Sequence, residues 1–209
     1  MSRGLGDVYK RQVDRNSSII KVDSGWIVYS KNSESSILSF TSDGQFSGYI
    51  GHRGNGPGEY TSVYDVVVNQ KSKVLEVLSD GGIFCYTFGG DFLDKKEVTY
   101  PAFSFAIDDR QNYWFYVGNN TTYGDAKMIC TDENIANVAY YLHQKSNMLP
   151  MVENNFGRNG EWLTFHESLN HDLYTIENGK LDLSYAMDFP NYKPVSYTHL
   201  RAHETLANL

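Results

Sequence analysis

The chain has 209 residues, 14% of them aromatic, and carries 25 acidic against 18 basic side chains for a formal net charge of −7. An acidic chain with no basic stripe lacks the attraction to phosphate that dominates nucleic-acid affinity, which argues against a DNA or RNA partner. No apolar run approaches the ~20 residues that a helix needs to span a bilayer, and two cysteines, Cys85 and Cys130, cannot build a disulfide framework.

The first and last segments stand apart from the rest. Ser2 to Gln12 reads SRGLGDVYKRQ and Val195 to Glu204 reads VSYTHLRAHE. The two strings are opposite-strand translations of one DNA oligonucleotide, and the pair resembles a sequencing-library transposon adapter read through at both ends of a fragment. Residues 1–12 and 195–209 are therefore expected to be non-native and to pack loosely, with Tyr9 and Leu200 unburied. The stretch 13–194 then holds 14 basic and 23 acidic residues, a net charge of −9.

In chain order, strand-like runs come in fours. Ile19–Val22, Trp26–Ser30, Ile37–Phe40 and Gln45–Ile50 are parted by clusters of Asp, Ser, Gly and Asn, with Asp43-Gly44 as a hairpin turn. Tyr64–Val68, Val74–Leu78, Ile83–Phe88 and Asp91–Val98 repeat the pattern around Gly89-Gly90. Phe103–Ile107, Tyr113–Val117, Lys127–Thr131 and Ile135–Leu142 follow, around Glu133-Asn134. Val152–Phe156, Trp162–His166, Leu173–Ile176 and Lys180–Met187 close the series around Asn178-Gly179. The turns fall at positions 43, 89, 133 and 178, steps of 46, 44 and 45 residues. A period of roughly 40–50 residues with several short strands in each is the signature of β-propeller blades. The fold class is thus all-β, with about four consecutive four-stranded blades near 17–50, 60–98, 102–142 and 150–189 as a fragment of a larger ring. Counted back from their turns, Cys85 and Cys130 differ by one position and so point to opposite sheet faces, which makes them buried free thiols rather than a pair.

The first blade junction, Gly51–Tyr60, reads GHRGNGPGEY and follows FTSDGQFSGYI. With Val77, Asp80 and Tyr86 downstream, this string resembles the NHL-type six-bladed propellers, and most of all the six-bladed β-propeller lipoproteins of unknown function abundant in Bacteroides-type gut bacteria. The resemblance implies export to the periplasm or cell surface, membrane attachment only through an N-terminal lipid anchor, and a binding role. It supplies no catalytic residue, and no cofactor. From the residues themselves, four glycines allow close backbone approach in the loop while Pro57 stiffens it. A phosphate cradle would want a helix after the glycines, and here a strand follows.

Propeller loops between blades and between second and third strands emerge on one face, where binding residues concentrate. That face gathers His52, Arg53, Asn55, Glu59 and Tyr60 from the junction, and Lys31, Asn32, Glu34 and Asp80 from neighbouring loops. Asn119, Asn120, Tyr123 and Asp125 join from the third blade, and His166, Glu167, Asn170 and His171 from the fourth. The candidate ligand residues are His52, Arg53, Asn55, Glu59, Tyr60, Asn119, Tyr123, His166 and His171, with Tyr60 and Tyr123 as stacking surfaces for a glycan or peptide. His52 with Glu59 could serve as an acid–base pair if the loop folds them together, and Tyr60 could equally anchor the loop to the next blade. No metal or catalytic signature is present. The alternative is a metal-dependent propeller enzyme of lyase or lactonase type, for which Asp65, Asp108 and Asn154 near inner strands are the only hints.

Overall fold

The computed structural model describes residues 17–31, 36–118, 125–143, 154–167 and 172–186. Residues 1–12 and 195–209, with Tyr9 and Leu200, lie outside them.

The described residues form four antiparallel four-stranded sheets, each with its strands in chain order, the arrangement of propeller blades. The first holds β1 (Ser17–Val22), β2 (Gly25–Ser30), β3 (Ile37–Thr41) and β4 (Phe46–Ile50). After a junction carrying β5 (His52–Arg53) and β6 (Glu59–Tyr60), the second holds β7 (Asp65–Asn69), β8 (Val74–Ser79), β9 (Gly82–Tyr86) and β10 (Phe92–Lys96). The third is β11 (Ser104–Ile107), β12 (Tyr113–Tyr116), β13 (Ala126–Thr131) and β14 (Ala139–His143). The fourth is β15 (Phe156–Asn159), β16 (Trp162–His166), β17 (Asp172–Glu177) and β18 (Lys180–Ala186). The chain divides into two compact units at Val98/Thr99, each with two blades.

The recurrence seen in the sequence is a recurrence of one backbone turn between third and fourth strands. In the first blade Thr41 N donates to Gln45 O (2.8 Å) and Gly44 N to Thr41 O (3.0 Å). Thr87 with Asp91 and Gly90 repeats this in the second blade, and Asp132 with Ala136 and Ile135 in the third. Each opening side chain also accepts the N–H four residues on: Thr41 Oγ1 from Gln45, Thr87 Oγ1 from Asp91, Asp132 Oδ1 from Ala136. The fourth residue of each turn has positive φ: Gly44 at +85°, Gly90 at +101°, Ile135 at +60°. The fourth blade departs from the rule. Its Asn178-Gly179 turn is a two-residue loop closed by the Glu177–Lys180 pair, with both central residues at positive φ.

In each unit the two blades face each other across side chains that alternate along the strands. The first unit buries Ile27, Tyr29, Ile37 and Ile50 of one blade with Leu75, Val77, Phe84 and Tyr86 of the next. The second buries Trp114, Tyr116, Met128 and Cys130 with Leu163, Phe165 and Ile176. The spacing of two within β2, β8, β9, β12, β13 and β16 is the strand period that puts alternate residues on one face. Each fully buried side chain of this size contributes about 1.5–3 kcal/mol through removal from water. Cys85 and Cys130 are both buried and unpaired.

Two expected strands move. The run assigned to Ile135–Leu142 is a strand only from Ala139, because Ile135 belongs to the turn and Asn137 also takes positive φ. Of the run assigned to Val152–Phe156, Val152 and Glu153 lie outside the described residues, and among the described ones the strand begins at Phe156. Its register is set by the hairpin that pairs Asn159 with Trp162, with Gly160 at φ +61°.

Candidate functional site

The blade junction of the first unit is an ordered loop. β5 and β6 pair in parallel, His52 with Glu59 and Arg53 with Tyr60, and Gly54 N donates to Tyr60 O at 3.0 Å. Inside the loop the Glu59 carboxylate accepts from Gly56 N at 2.8 Å. A Cβ on Gly54 would lie 2.0 Å from Glu59 Oε2, so the glycines are there to let this carboxylate fold inward. Glu59 therefore braces the loop through one carboxylate oxygen while standing opposite His52 in the β5–β6 pair.

Tyr60 needs the larger correction. Its ring is 1% exposed, its hydroxyl donates to Ile50 O (3.2 Å) and accepts from Ile37 N (3.3 Å), and burial raises its pKa. It packs edge-on to Tyr86, whose hydroxyl donates to Gly58 O at 3.0 Å. Tyr60 anchors the junction to the first blade and offers no stacking face.

What the loop does present is His52, Arg53 and Asn55, all exposed. Arg53 Nε donates to Thr61 O at 3.2 Å, which fixes the guanidinium. Thr61 Oγ1 in turn donates to Asp80 Oδ2 (2.7 Å), joined there by Ser62 Oγ (3.2 Å), while Tyr64 OH donates to Asp80 Oδ1 (2.5 Å). The hydroxyls of Tyr64 and Thr61 hold the Asp80 carboxyl below its usual range, and the bond to Asp80 raises the Tyr64 phenol. Tyr64 is 38% exposed. It is the pinned aromatic of this surface, where the sequence pointed to Tyr60. Tyr60 drew attention by following the glycine string, whereas Tyr64, one residue before β7, carries no local sign of its contact with Asp80.

The inner-strand acids are each engaged. Asp65 forms an ion pair with Lys31 at 2.9 Å, both side chains under a tenth exposed, and accepts from Tyr29 OH at 3.4 Å. Burial, then the Asp65 charge, push the Tyr29 phenol up. Asp108 accepts from Arg110 N, Asn112 N, Asn112 Nδ2 and Trp114 Nε1 at 2.9–3.0 Å and organises the β11–β12 hairpin. Asn154 is exposed, and its neighbour Asn155 is the buried one, accepting from Ser104 Oγ at 3.0 Å. Among the described residues no group of three or more His, Cys, Asp or Glu is placed to hold a metal ion.

The second unit has its own polar end. Glu167 accepts from Tyr116 OH (2.6 Å) and pairs with Lys127 Nζ (2.8 Å), and His143 Nδ1 meets Asp125 Oδ1 at 2.7 Å. This contact lowers the Asp125 pKa. His166 is exposed, its backbone N–H donating to Asn155 O. Asn119, Tyr123 and His171, with Asn32, Glu34, Asn120 and Asn170, lie outside the described residues. Lys127, Tyr116 and His143 were not singled out in the sequence, since each sits in an ordinary strand whose end becomes polar only once neighbouring strands are placed.

No curated protein matches this sequence. Among solved structures, a protein from Bacteroides fragilis described as exported is similar over 92% of this chain and 56% of that one, at 14% identity and a TM-score of 0.75. A member of the DUF4221 family from Bacteroides vulgatus is similar over 87% of this chain and 62% of that one, at 10% identity and a TM-score of 0.55. A more distant likeness, at 15% identity and a TM-score of 0.45 over 80% of this chain and 21% of that one, is to the extracellular domain of a two-component system from Bacteroides thetaiotaomicron. The chain thus spans little more than half the length of the first two structures, and identities this low show a shared fold alone. The family, in contrast, is shown over most of the sequence: residues 13–204 match DUF4934, a domain of unknown function, and the chain belongs to that family.

Proposed function

We propose that this chain is the blade-bearing segment of a non-catalytic binding or sensing propeller from an exported bacterial protein, taking a glycan or peptide at the junction surface of its first unit. The observation that carries the reading is a hydrogen-bonded chain that links two exposed residues: Arg53 donates to Thr61 O, Thr61 Oγ1 donates to Asp80, and Asp80 also accepts from Tyr64 OH. A held aromatic ring with a few placed polar groups is how protein surfaces recognise such ligands, because little ordering remains to be done on binding. In the complete protein the blades belong to an NHL-like six-bladed ring, tethered outside the cytoplasm by a lipid anchor. The exported Bacteroides fragilis neighbour supports the location. The lyase or lactonase alternative draws no support from Asp65 or Asp108, whose oxygens are already taken by Lys31 and Tyr29 and by the β11–β12 hairpin.

The test is a titration of the complete protein against neutral and acidic oligosaccharides and short peptides, with Tyr64→Ala beside the parent. Tyr64→Ala is expected to weaken binding of the recognised compound about tenfold, about 1.4 kcal/mol, while the melting temperature moves little. Unchanged affinity in that variant would remove the junction surface from consideration.

A further inference from the structure

We infer that the ligand of this surface is an acidic sugar, a glycan bearing uronate carboxylates; the inference rests on the binding reading above. It follows from counting what the surface leaves unsatisfied. Arg53 uses Nε on Thr61 O, which leaves the four N–H groups of its two terminal nitrogens, and a guanidinium presents these as a planar fork. Among the described residues no carboxylate forms an ion pair with it: Glu59 is turned into the loop on Gly56, and Asp80 is held by hydroxyls. Asp80 has about four acceptor positions, of which Thr61, Ser62 and Tyr64 fill three. The unused capacity of Arg53 is thus all donor, one Asp80 position stays open as an acceptor, and exposed Asn55 and His52 can each both donate and accept.

A ligand complementary to that balance supplies acceptors, and the fork matches a carboxylate bidentately. Tyr64 adds a flat apolar face on which one side of a pyranose ring can lie. A neutral sugar would leave the fork without its matching pair. A peptide carboxylate would meet the same fork but brings no pyranose ring to lie on Tyr64, and the tripeptide in the experiment below distinguishes it. The chain's net charge of −7 opposes an anion at long range, so the attraction is a short-range one that salt weakens.

The experiment is calorimetric titration of the complete protein with trigalacturonate, its methyl ester, galactotriose and a tripeptide with a free carboxylate. The expected result is preference for trigalacturonate, with methyl esterification or Arg53→Ala each weakening binding at least tenfold and Arg53→Lys weakening it less, since lysine keeps the charge but loses the fork. Tyr64→Ala should weaken it as well. Thermal melts of the variants, with Arg53→Gln as a second replacement that retains N–H donors, separate lost recognition from lost folding. Galactotriose or the ester binding as tightly as trigalacturonate, still dependent on Tyr64, would overturn the acidic-sugar class and leave the binding surface standing, as would a preference for the tripeptide. No dependence on Arg53 or Tyr64 for any probe would overturn both.

Discussion

Gly54 has no room for a methyl group, because the Glu59 carboxylate occupies the space a Cβ would need. Gly54→Ala should turn that carboxylate off Gly56 N and cost about the one hydrogen bond it makes there, roughly 0.5–1.5 kcal/mol, read as a lower melting temperature; an unchanged melt would mean the brace is dispensable. Tyr60→Phe removes the hydroxyl shared by Ile37 N and Ile50 O, both buried, and should cost about 1–3 kcal/mol without touching ligand affinity. Lost affinity at unchanged stability would restore Tyr60 as a contact residue. The contrast with Tyr64 shows what a single sequence can convey about a site. Loop residues such as His52, Arg53 and Asn55 could be placed on a surface from their surroundings. Which of two tyrosines four positions apart faces outward depends on strand register and on partners as distant as Ile37 and Asp80, which no local pattern reports.

The third-strand turns carry the period of the molecule, and one of them is strained. Ile135 stands at φ +60° where the equivalent positions are glycines, and a β-branched residue there costs roughly 1–2 kcal/mol. Ile135→Gly should stabilise the protein by about 0.5–1 kcal/mol after the loss of its half-buried side chain, raising the midpoint of chemical denaturation. A lowered midpoint would show that its packing outweighs the strain. The same turn is acid-sensitive. Asp132 has its pKa lowered by Ala136 N–H, then by Asn137; a depressed carboxyl stabilises the fold above its unfolded value near ~3.9 and the stabilisation is lost as pH falls through the folded value. Protection of the Ala136 amide, taken relative to its intrinsic exchange rate at each pH, should therefore fall below about pH 4 ahead of neighbouring strand amides, and unchanged protection there would exclude the linkage. The turns were legible because Asp-Gly and Gly-Gly announce positive φ. The third was displaced by a residue because Ile135 gives no such sign. The start of β15 at Phe156 follows from the Asn159–Trp162 hairpin, whose register the run VENNF does not announce.

Each two-blade unit holds its polar strand ends with a buried or half-buried charge pair, Lys31–Asp65 in the first and Lys127–Glu167 in the second, and each pair also takes a tyrosine hydroxyl. Removing one partner leaves an uncompensated buried charge, so Lys31→Met should lower stability by about 3–5 kcal/mol; a loss within experimental error would mean that Asp65 finds other compensation. The thiols report on the folded state as a whole. Burial pushes Cys85 and Cys130 up to about 12, so neither should react with a thiol reagent at pH 8 unless its blade opens. A raised thiol pKa favours the fold fully below the unfolded value near ~8.5 and loses that contribution as pH rises toward the folded one. The overall architecture was readable in the sequence because every blade carries the same strand and turn order. The polar ends were not, since they arise only where separate strands meet. The most direct measurement is hydrogen–deuterium exchange of the complete protein with and without trigalacturonate. The expected result is protection concentrated in residues 51–64 and at Asp80, with 125–143 and 155–167 unchanged, whereas protection confined to the second unit, or none at saturating sugar, would contradict the assignment of the junction as the ligand surface.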